Sequence, residues 1–172
     1  MGLLEILSEE VDDPRRAQGM RVTLPQMFSM IIISNLCGYL GGRATAKFAK
    51  VHQETFTELL NLKHPPPSHV IFSDLLNRVD EKQLIKAFNK WSSAYVEVKK
   101  GDFVSGDGKA LGSTLTNYHK GHQKFQAIVS LFCQNSGLVH SLEEYQNAKV
   151  SEINVVRFLV KQLKAKGLVL FF

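Results

Sequence analysis

The spacing of apolar residues changes once along this chain of 172 residues, and the change divides it into two parts. As far as about Lys100, apolar residues recur three and four positions apart, which is typical of amphipathic helices. Beyond Lys100 they alternate with polar residues over short runs, which is typical of half-buried strands. The sequence therefore predicts a helical domain over residues 1–98 and a strand-containing domain over residues 99–172.

The first part is predicted to form a compact bundle of helices separated by Pro and Gly signals. The predicted helices are LLEILSEEV, TLPQMFSMIIISNLCGYL, RATAKFAKVHQETFTELLNL, HVIFSDLLNRV and EKQLIKAFNKWSSAY. The second of them is apolar almost all round, so we expect it at the centre of the bundle. Ser68 and Asp80 are predicted to cap the last two helices.

The second part is predicted to contain three strands, a helix and a fourth strand. The strands are GDFVSGDGKAL, KFQAIVSLFCQ, NSGLVHSLEEYQ and LVLFF, and the helix is SEINVVRFLVKQLKAKG. Three antiparallel strands followed by a helical crossover into a fourth strand, parallel to the first, form the opening of a ribonuclease-H-like fold. We therefore predict an α+β fold in which a helical bundle precedes an incomplete ribonuclease-H-like domain.

Composition limits the partners and the location. A net charge of +5 permits nucleic-acid binding without requiring it. The longest apolar run, MFSMIIISNLCGYLGG, is shorter than the roughly 20 residues needed to span a bilayer. The acidic N-terminus does not resemble a signal peptide, and Cys37 and Cys133 are expected to be buried, reduced thiols. We expect a cytoplasmic protein with no membrane contact.

Asp107, in SGDGKAL, is the residue whose position suggests chemistry. At the end of a first strand beside a parallel fourth strand, it matches the position where ribonuclease-H-like nucleases place their first metal-binding aspartate, and carboxylate oxygens are ligands that a hard cation such as Mg²⁺ takes. Two such ions can stabilise the attacking and leaving oxygens of a phosphodiester. The alternative is that the tripeptide GDG forms a turn, in which Asp and Gly serve the local backbone.

Six segments in order resemble the H-repeat-associated family of insertion-sequence transposases, a branch of the DDE transposases. They are DPRR, LCGYLGGRATAKFAK, PPPSHVIF, DGKAL, FQAIVSLF and KVSEINVV. The resemblance implies a helical associated domain followed by a ribonuclease-H-like catalytic domain. It also implies cutting and joining of DNA through three acidic residues and a divalent metal, expected to be Mg²⁺, with Asp107 as the first acid and a metal ligand.

Each of the other candidate residues has a functional interpretation and a simpler one. Glu152 lies early in the helix after the third strand, where ribonuclease-H enzymes also place an active-site Glu. The simpler interpretation is that its charge interacts favourably with the helix dipole. Lys109 and Lys149 are candidate DNA contacts, or solvated lysines. Arg43 and Lys47, with Lys50, form a candidate phosphate-binding face or a solvated helix face.

The loop NYHKGHQ and the aromatic pair Trp91 and Tyr95 are weaker candidates. His119 and His122 have no Cys or third His nearby in the sequence, which argues against a zinc site. We expect an exposed loop there; the alternative is a basic loop that lies near DNA. Trp91 and Tyr95 stand four residues apart on a predicted helix, a spacing that favours packing over stacking on bases.

The sequence departs from the family at several positions. Gly112 stands where the family commonly has Arg, and Ile71 and Asp74 stand where it usually has Thr and Arg, which weakens the expected contact with phosphates. The sequence ends at Phe172, where the family continues directly into its second catalytic aspartate. We therefore expect a truncated chain that does not cut DNA alone, and a one-base slip in a run of T's encoding Phe171-Phe172 would explain the truncation.

Three functions remain open at this point. The chain is a truncated transposase that is inactive alone, or a regulator that binds the DNA ends of the element and inhibits a full-length transposase. In either case the partners are insertion-sequence ends and, for the regulator, a full-length transposase or a second copy of the chain. The third possibility is an unrelated α+β binding domain whose DGK is a turn.

Overall fold

The computed structural model describes residues 2–16, 20–116, 124–163 and 167–171. The chain divides into two compact units, Met1–Leu84 and Ile85–Phe172, which we describe separately as the helical unit and the sheet unit. The predicted boundary, between residues 98 and 99, separates the helices from the strands, whereas the compact units divide earlier, inside a helix. Among the described residues, no helix is long and apolar enough to cross a membrane.

The helical unit is built around one buried helix. Its helices are α1 (Leu3–Glu10), α2 (Leu24–Leu36), α3 (Gly42–Val51), α4 (Gln53–Leu60) and α5 (His69–Arg78), and α6 (Glu81–Tyr95) begins in this unit. As predicted, α2 is the central helix, with Met27 and Met30 fully buried. The side chains of Phe56, Phe72 and Leu75, from α4 and α5, are also inaccessible to solvent.

Two predicted helices end earlier than the sequence suggested. The helix predicted across residues 43–62 is interrupted at His52, whose backbone leaves the helical region (φ −103, ψ 32). The helix α2 ends at Leu36 rather than at Leu40, because the chain turns through Gly38 at φ +84, a conformation that glycine adopts without strain. This turn leaves Cys37 exposed, so the prediction of a buried thiol is wrong there, whereas Cys133 is buried.

The predicted caps are partly confirmed. Asp80 Oδ1 accepts hydrogen bonds from the backbone N–H groups of Lys82 (2.8 Å) and Gln83 (3.3 Å) at the start of α6. Ser68 is the N-cap residue of α5, but its side chain makes no capping hydrogen bond. The first turn of α5 therefore begins without a side-chain partner for its amides.

The sheet unit contains a four-stranded mixed sheet and one helix on its face. The strands are β1 (Phe103–Ala110), β2 (Gln126–Cys133), β3 (Leu138–Gln146) and β4 (Val169–Phe171), in the order β3-β2-β1-β4. The first three pair antiparallel, and β4 pairs parallel to β1. Helix α7 (Glu152–Gln162) lies between β3 and β4 in the chain. The predicted α+β class and the predicted order of strands and helix are confirmed.

The core of the sheet unit lies between the sheet and α7. The buried residues that form it are Val104, Val129, Leu131, Val155, Val156 and Leu159. Because successive side chains of a strand point to opposite faces, Val104 fixes the orientation of β1. Gly106 and Gly108 lie on the α7 face, and Ser105, Asp107 and Lys109 lie on the other face.

The outer strand β3 is held by side chains of α6. The Asn89 side-chain amide donates to the carbonyl of Leu142 (2.8 Å), and the Leu142 N–H donates back to Asn89 Oδ1 (2.7 Å). The Ser92 hydroxyl donates to the carbonyl of Val139. The β2–β3 register shifts at Leu131/Phe132, which makes His140 the extra residue of a bulge. Its Nδ1 atom is buried and has no hydrogen-bond partner within the described part of the chain.

Candidate functional site

Asp107 lies within a regular strand, not in a turn. Its neighbours Gly106 and Gly108 pair with Leu131 and Val129 of β2, and Asp107 itself pairs with Ser130. The Ser130 hydroxyl donates a long hydrogen bond to the Asp107 carbonyl (3.4 Å). The turn interpretation of GDG is therefore wrong. The Asp107 side chain is exposed, on the face of β1 that α7 does not cover.

Glu152 begins α7 and its carboxylate lies directly over β1. A Cβ atom at Gly108 would lie 2.6 Å from Glu152 Oε1 and 2.8 Å from Oε2. These distances are shorter than van der Waals contact, so the carboxylate occupies the space that any side chain at position 108 would need. The glycine of the DGK motif therefore gives Glu152 room to approach the strand.

Tyr145 is a neighbour of Glu152 that the sequence did not reveal. Its hydroxyl donates a long hydrogen bond to Glu152 Oε2 (3.5 Å) from the end of β3. The pKa of Tyr145 is raised above its ordinary value, first by burial, then by the negative charge of Glu152 and by the hydrogen bond to it. Tyr145 therefore stays protonated and remains a hydrogen-bond donor to the carboxylate.

Asp107 and Glu152 flank β1 from opposite sides. Gly108, against which Glu152 packs, shares the α7 face with Val104, and the register with β2 is continuous through Asp107. Strand alternation then directs the Asp107 side chain to the other face. Two carboxylates that share one Mg²⁺ each bring an oxygen to about 2.1 Å from it, so the two carboxylates do not share an ion in this arrangement.

The described ranges contain no group of three or more His, Cys, Asp and Glu side chains that could hold an ion. The residues present thus do not fit the two-ion site that the resemblance implied. His119 and His122 lie outside the described residues.

The predicted DNA contacts belong to two different units. Lys109 is exposed on the Asp107 face of β1, and Lys149 is exposed in the connection between β3 and α7. Arg43 and Lys47 are exposed on α3 of the helical unit, where they line a groove of about 550 Å³ together with Lys50. The carboxylate of Asp74, one of the departures from the family pattern, forms an exposed ion pair with Arg78 (3.0 Å).

A model of a known protein family matches the chain. The model of the DDE_Tnp_1-associated family matches residues 5–92, slightly more than half of the chain. The matched range covers the helical unit and continues into α6. No curated protein and no solved structure matches the chain.

Proposed function

The chain belongs to the DDE_Tnp_1-associated family, which indicates a function related to DNA transposition. We propose that, within this function, the chain binds DNA without cutting it. The proposal combines two parts. The helical unit, which carries the family match, supplies contacts to DNA. The sheet unit holds Asp107 and Glu152 in an arrangement that does not support strand transfer by this chain alone.

We assign the sheet unit to the ribonuclease-H-like class. Support comes from the strand order β3-β2-β1-β4, with three antiparallel strands, a helix and a fourth strand parallel to the first. In that class the central strand carries an acidic residue, and Asp107 stands on the central strand β1 here. Fold alone does not decide activity, which depends on the geometry of the site.

We infer the inactivity from the placement of the two carboxylates on opposite faces of β1. Metal-dependent phosphodiester chemistry requires carboxylates that converge on the ions that hold the attacking and leaving oxygens. Glu152 instead lies over Gly108 and beside Tyr145, on the face of β1 opposite to Asp107. The Asp107 side chain faces solvent on the other side of β1, on the same face as Lys109. We therefore propose that Asp107 does not complete a catalytic centre in this chain, and that only the positive charge of Lys109 contributes to a DNA-facing surface of the sheet unit.

The test uses the purified chain, a labelled DNA duplex, and Mg²⁺ or Mn²⁺. We expect no nicking and no strand transfer, and we expect DNA binding that does not require a divalent metal. Metal-dependent nicking that disappears in both Asp107→Ala and Glu152→Gln would overturn the proposal, because it would mean that the two carboxylates converge in the working protein. Glu97→Gln, an exposed carboxylate away from β1, is the matched control.

A further inference from the structure

A groove in the helical unit combines positive charge with a rigid wall. It lies between α3 and the segment Pro65–His69, has a volume of about 550 Å³, and will be called the α3 groove. Arg43, Lys47 and Lys50 line it from one side, and their spacing of four and three residues places them on one face of α3. Among the residues that the structure describes, no aspartate or glutamate lines the groove.

The three α3 cations differ from other cations of the helical unit in their partners. Elsewhere in the helical unit, Arg15 pairs with Asp13 (2.6 Å) and Arg78 pairs with Asp74 (3.0 Å). Within the described part of the chain, the side chains of Arg43, Lys47 and Lys50 make no hydrogen bond or ion pair. Like charges three and four residues apart on a helix repel each other and destabilise it. An anionic ligand in the groove would remove this repulsion.

The opposite wall of the groove also suits an anion. Pro65, Pro66 and Pro67 restrict the backbone there. The segment ends at Ser68, whose hydroxyl caps no amide, and at His69, the first residue of α5. The free amides at the start of a helix carry partial positive charge. The N-terminus of α5 therefore adds to the field of the three α3 cations.

The two walls are held at a fixed separation by close helix packing. Gly42, at the start of α3, lies so close to Ser73 of α5 that an added Cβ would be 2.7 Å from the Ser73 backbone N. A contact between backbones cannot be relieved by a side-chain rotation. The cations and the α5 N-terminus are thus arranged before any ligand arrives, which reduces the entropic cost of binding.

We propose that the α3 groove binds the phosphodiester backbone of double-stranded DNA independently of base sequence. Arg43 to Lys50 spans about 10 Å along the helix, and one DNA strand presents about one phosphate per 3.4 Å of axis. The groove therefore faces about three consecutive phosphates, one for each α3 cation. The inference rests on the proposed DNA-binding function and names the surface that performs it.

The test compares two variants with the same change in charge. Arg43→Gln/Lys47→Gln/Lys50→Gln removes the α3 cations, and Arg16→Gln/Arg21→Gln/Lys82→Gln removes three exposed cations of the helical unit outside the groove. Glutamine has a helix propensity close to that of lysine and arginine, and circular dichroism verifies that both variants are folded. Binding to a fluorescent duplex of arbitrary sequence is followed by anisotropy over a range of NaCl concentrations without divalent metal.

We expect the groove variant to bind at least about tenfold more weakly, and its slope of log K against log salt to become less steep by about 2.7, or about 0.9 for each lost phosphate contact. The control variant should keep most of the affinity and slope. Lys47→Glu alone should also weaken binding, because it places a negative charge at the centre of the groove.

Three results would overturn the inference. The first is an unchanged affinity in the groove variant, and the second is an equal loss in both triple variants, which would indicate an effect of net charge alone. The third is displacement of the fluorescent duplex by inorganic phosphate or by an RNA duplex at a lower concentration than unlabelled DNA requires. Wild-type chain that binds no DNA would instead contradict the proposed function, so the two failures are distinguishable.

Discussion

Gly42 in the helical unit and Gly108 in the sheet unit are both positions where a neighbour leaves no room for a side chain. At Gly42 the neighbour is the backbone of Ser73, with its N atom 2.7 Å from where a Cβ would lie, and the Ser73 hydroxyl is closer still. At Gly108 the neighbours are all atoms of one side chain, the carboxylate of Glu152, with Oε1 at 2.6 Å. Similar distances therefore arise from a rigid contact in one unit and from a movable one in the other.

The difference separates a structural glycine from one that belongs to a candidate site. At Gly42 two helices would have to move apart, because backbone atoms cannot rotate out of the way. At Gly108 the exposed Glu152 side chain can rotate into solvent. Substitution at Gly42 should therefore reduce stability, whereas substitution at Gly108 should change the surroundings of Glu152 and Tyr145 and leave stability almost unaltered.

The largest effect is expected for Gly42→Ala. Overpacking a tight contact costs about 1–3 kcal/mol of unfolding free energy, which is larger than the gain of about 0.5–1 kcal/mol that alanine brings over glycine in a helix interior. Denaturant unfolding followed by far-ultraviolet circular dichroism measures the loss. Trp91, the single tryptophan, lies in the sheet unit, so its fluorescence should report a smaller change.

A double-mutant cycle with Ser73→Ala sharpens this prediction. The alanine removes the hydroxyl near Gly42 but keeps the backbone N at 2.7 Å. Gly42→Ala should therefore remain destabilising in the Ser73→Ala background. Full recovery of stability in the double variant would mean that the hydroxyl alone causes the crowding, and the contrast with Gly108 would disappear.

The contrast between the glycines also marks how far the sequence could predict the structure. The change in apolar spacing near Lys100 and the Asp80 cap were visible, because periodicity and capping are local properties. The parallel pairing of β4 with β1 followed from the order of strands and helix. The contacts of Gly42 with Ser73 and of Gly108 with Glu152 join residues 31 and 44 positions apart, and local pattern carries no information about such distances.

For the candidate site, the sequence suggested two carboxylates but not how they are arranged, and it did not suggest Tyr145. Asp107 and Glu152 were identified by their positions relative to strands and a helix. The alternation of FVSGDGKA already separates Val104, Gly106 and Gly108 from Asp107 and Lys109. Which of these two sets faces α7 depends on packing between distant segments, and Tyr145 approaches Glu152 only through the pairing of β2 with β3.

A smaller effect is expected from pH, and it should distinguish the two units. Burial lowers the pKa of His140, in the sheet unit, below its ordinary value of 6.5. The unfolded chain therefore binds a proton at higher pH than the folded chain, so stability falls as the pH decreases from about 6.5 towards the folded pKa. In the helical unit, hydrogen bonds from Arg15 lower the pKa of Asp13 below its ordinary value of 3.8. The stability that this interaction provides is therefore lost only when the pH falls below that value.

Unfolding of the sheet unit, followed by Trp91 fluorescence between neutral pH and about pH 5, measures the His140 effect. In His140→Leu the dependence of stability on pH in this window should become flatter, because the titrating group is removed. His64→Leu, an exposed histidine of the helical unit, should leave it unchanged. A pH dependence that persists in His140→Leu would show that another group is responsible.

The smallest effect on stability, and the sharpest test of the comparison, is expected for Gly108→Ala. The added methyl group displaces the Glu152 carboxylate, while alanine in a strand gains about 0.5–1 kcal/mol over glycine, so the net change in unfolding free energy should be within about 0.5 kcal/mol. The displaced carboxylate no longer accepts the Tyr145 hydrogen bond. The pKa of Tyr145 should therefore fall towards its ordinary value of 10.0 while staying above it, since burial, the largest cause of the shift, remains.

Titration of ¹³C-labelled tyrosine by NMR measures this pKa, and Tyr145→Phe identifies the signal among the four tyrosines. Glu152→Gln is the matched control, because it removes the charge without adding a methyl group, and it should lower the pKa of Tyr145 in the same direction. If Gly108→Ala instead lost as much stability as Gly42→Ala, the Glu152 carboxylate would be as rigid as a backbone. A carboxylate held so firmly over the central strand would have to be part of the fold, and its displacement could no longer be used to separate the site from the structure.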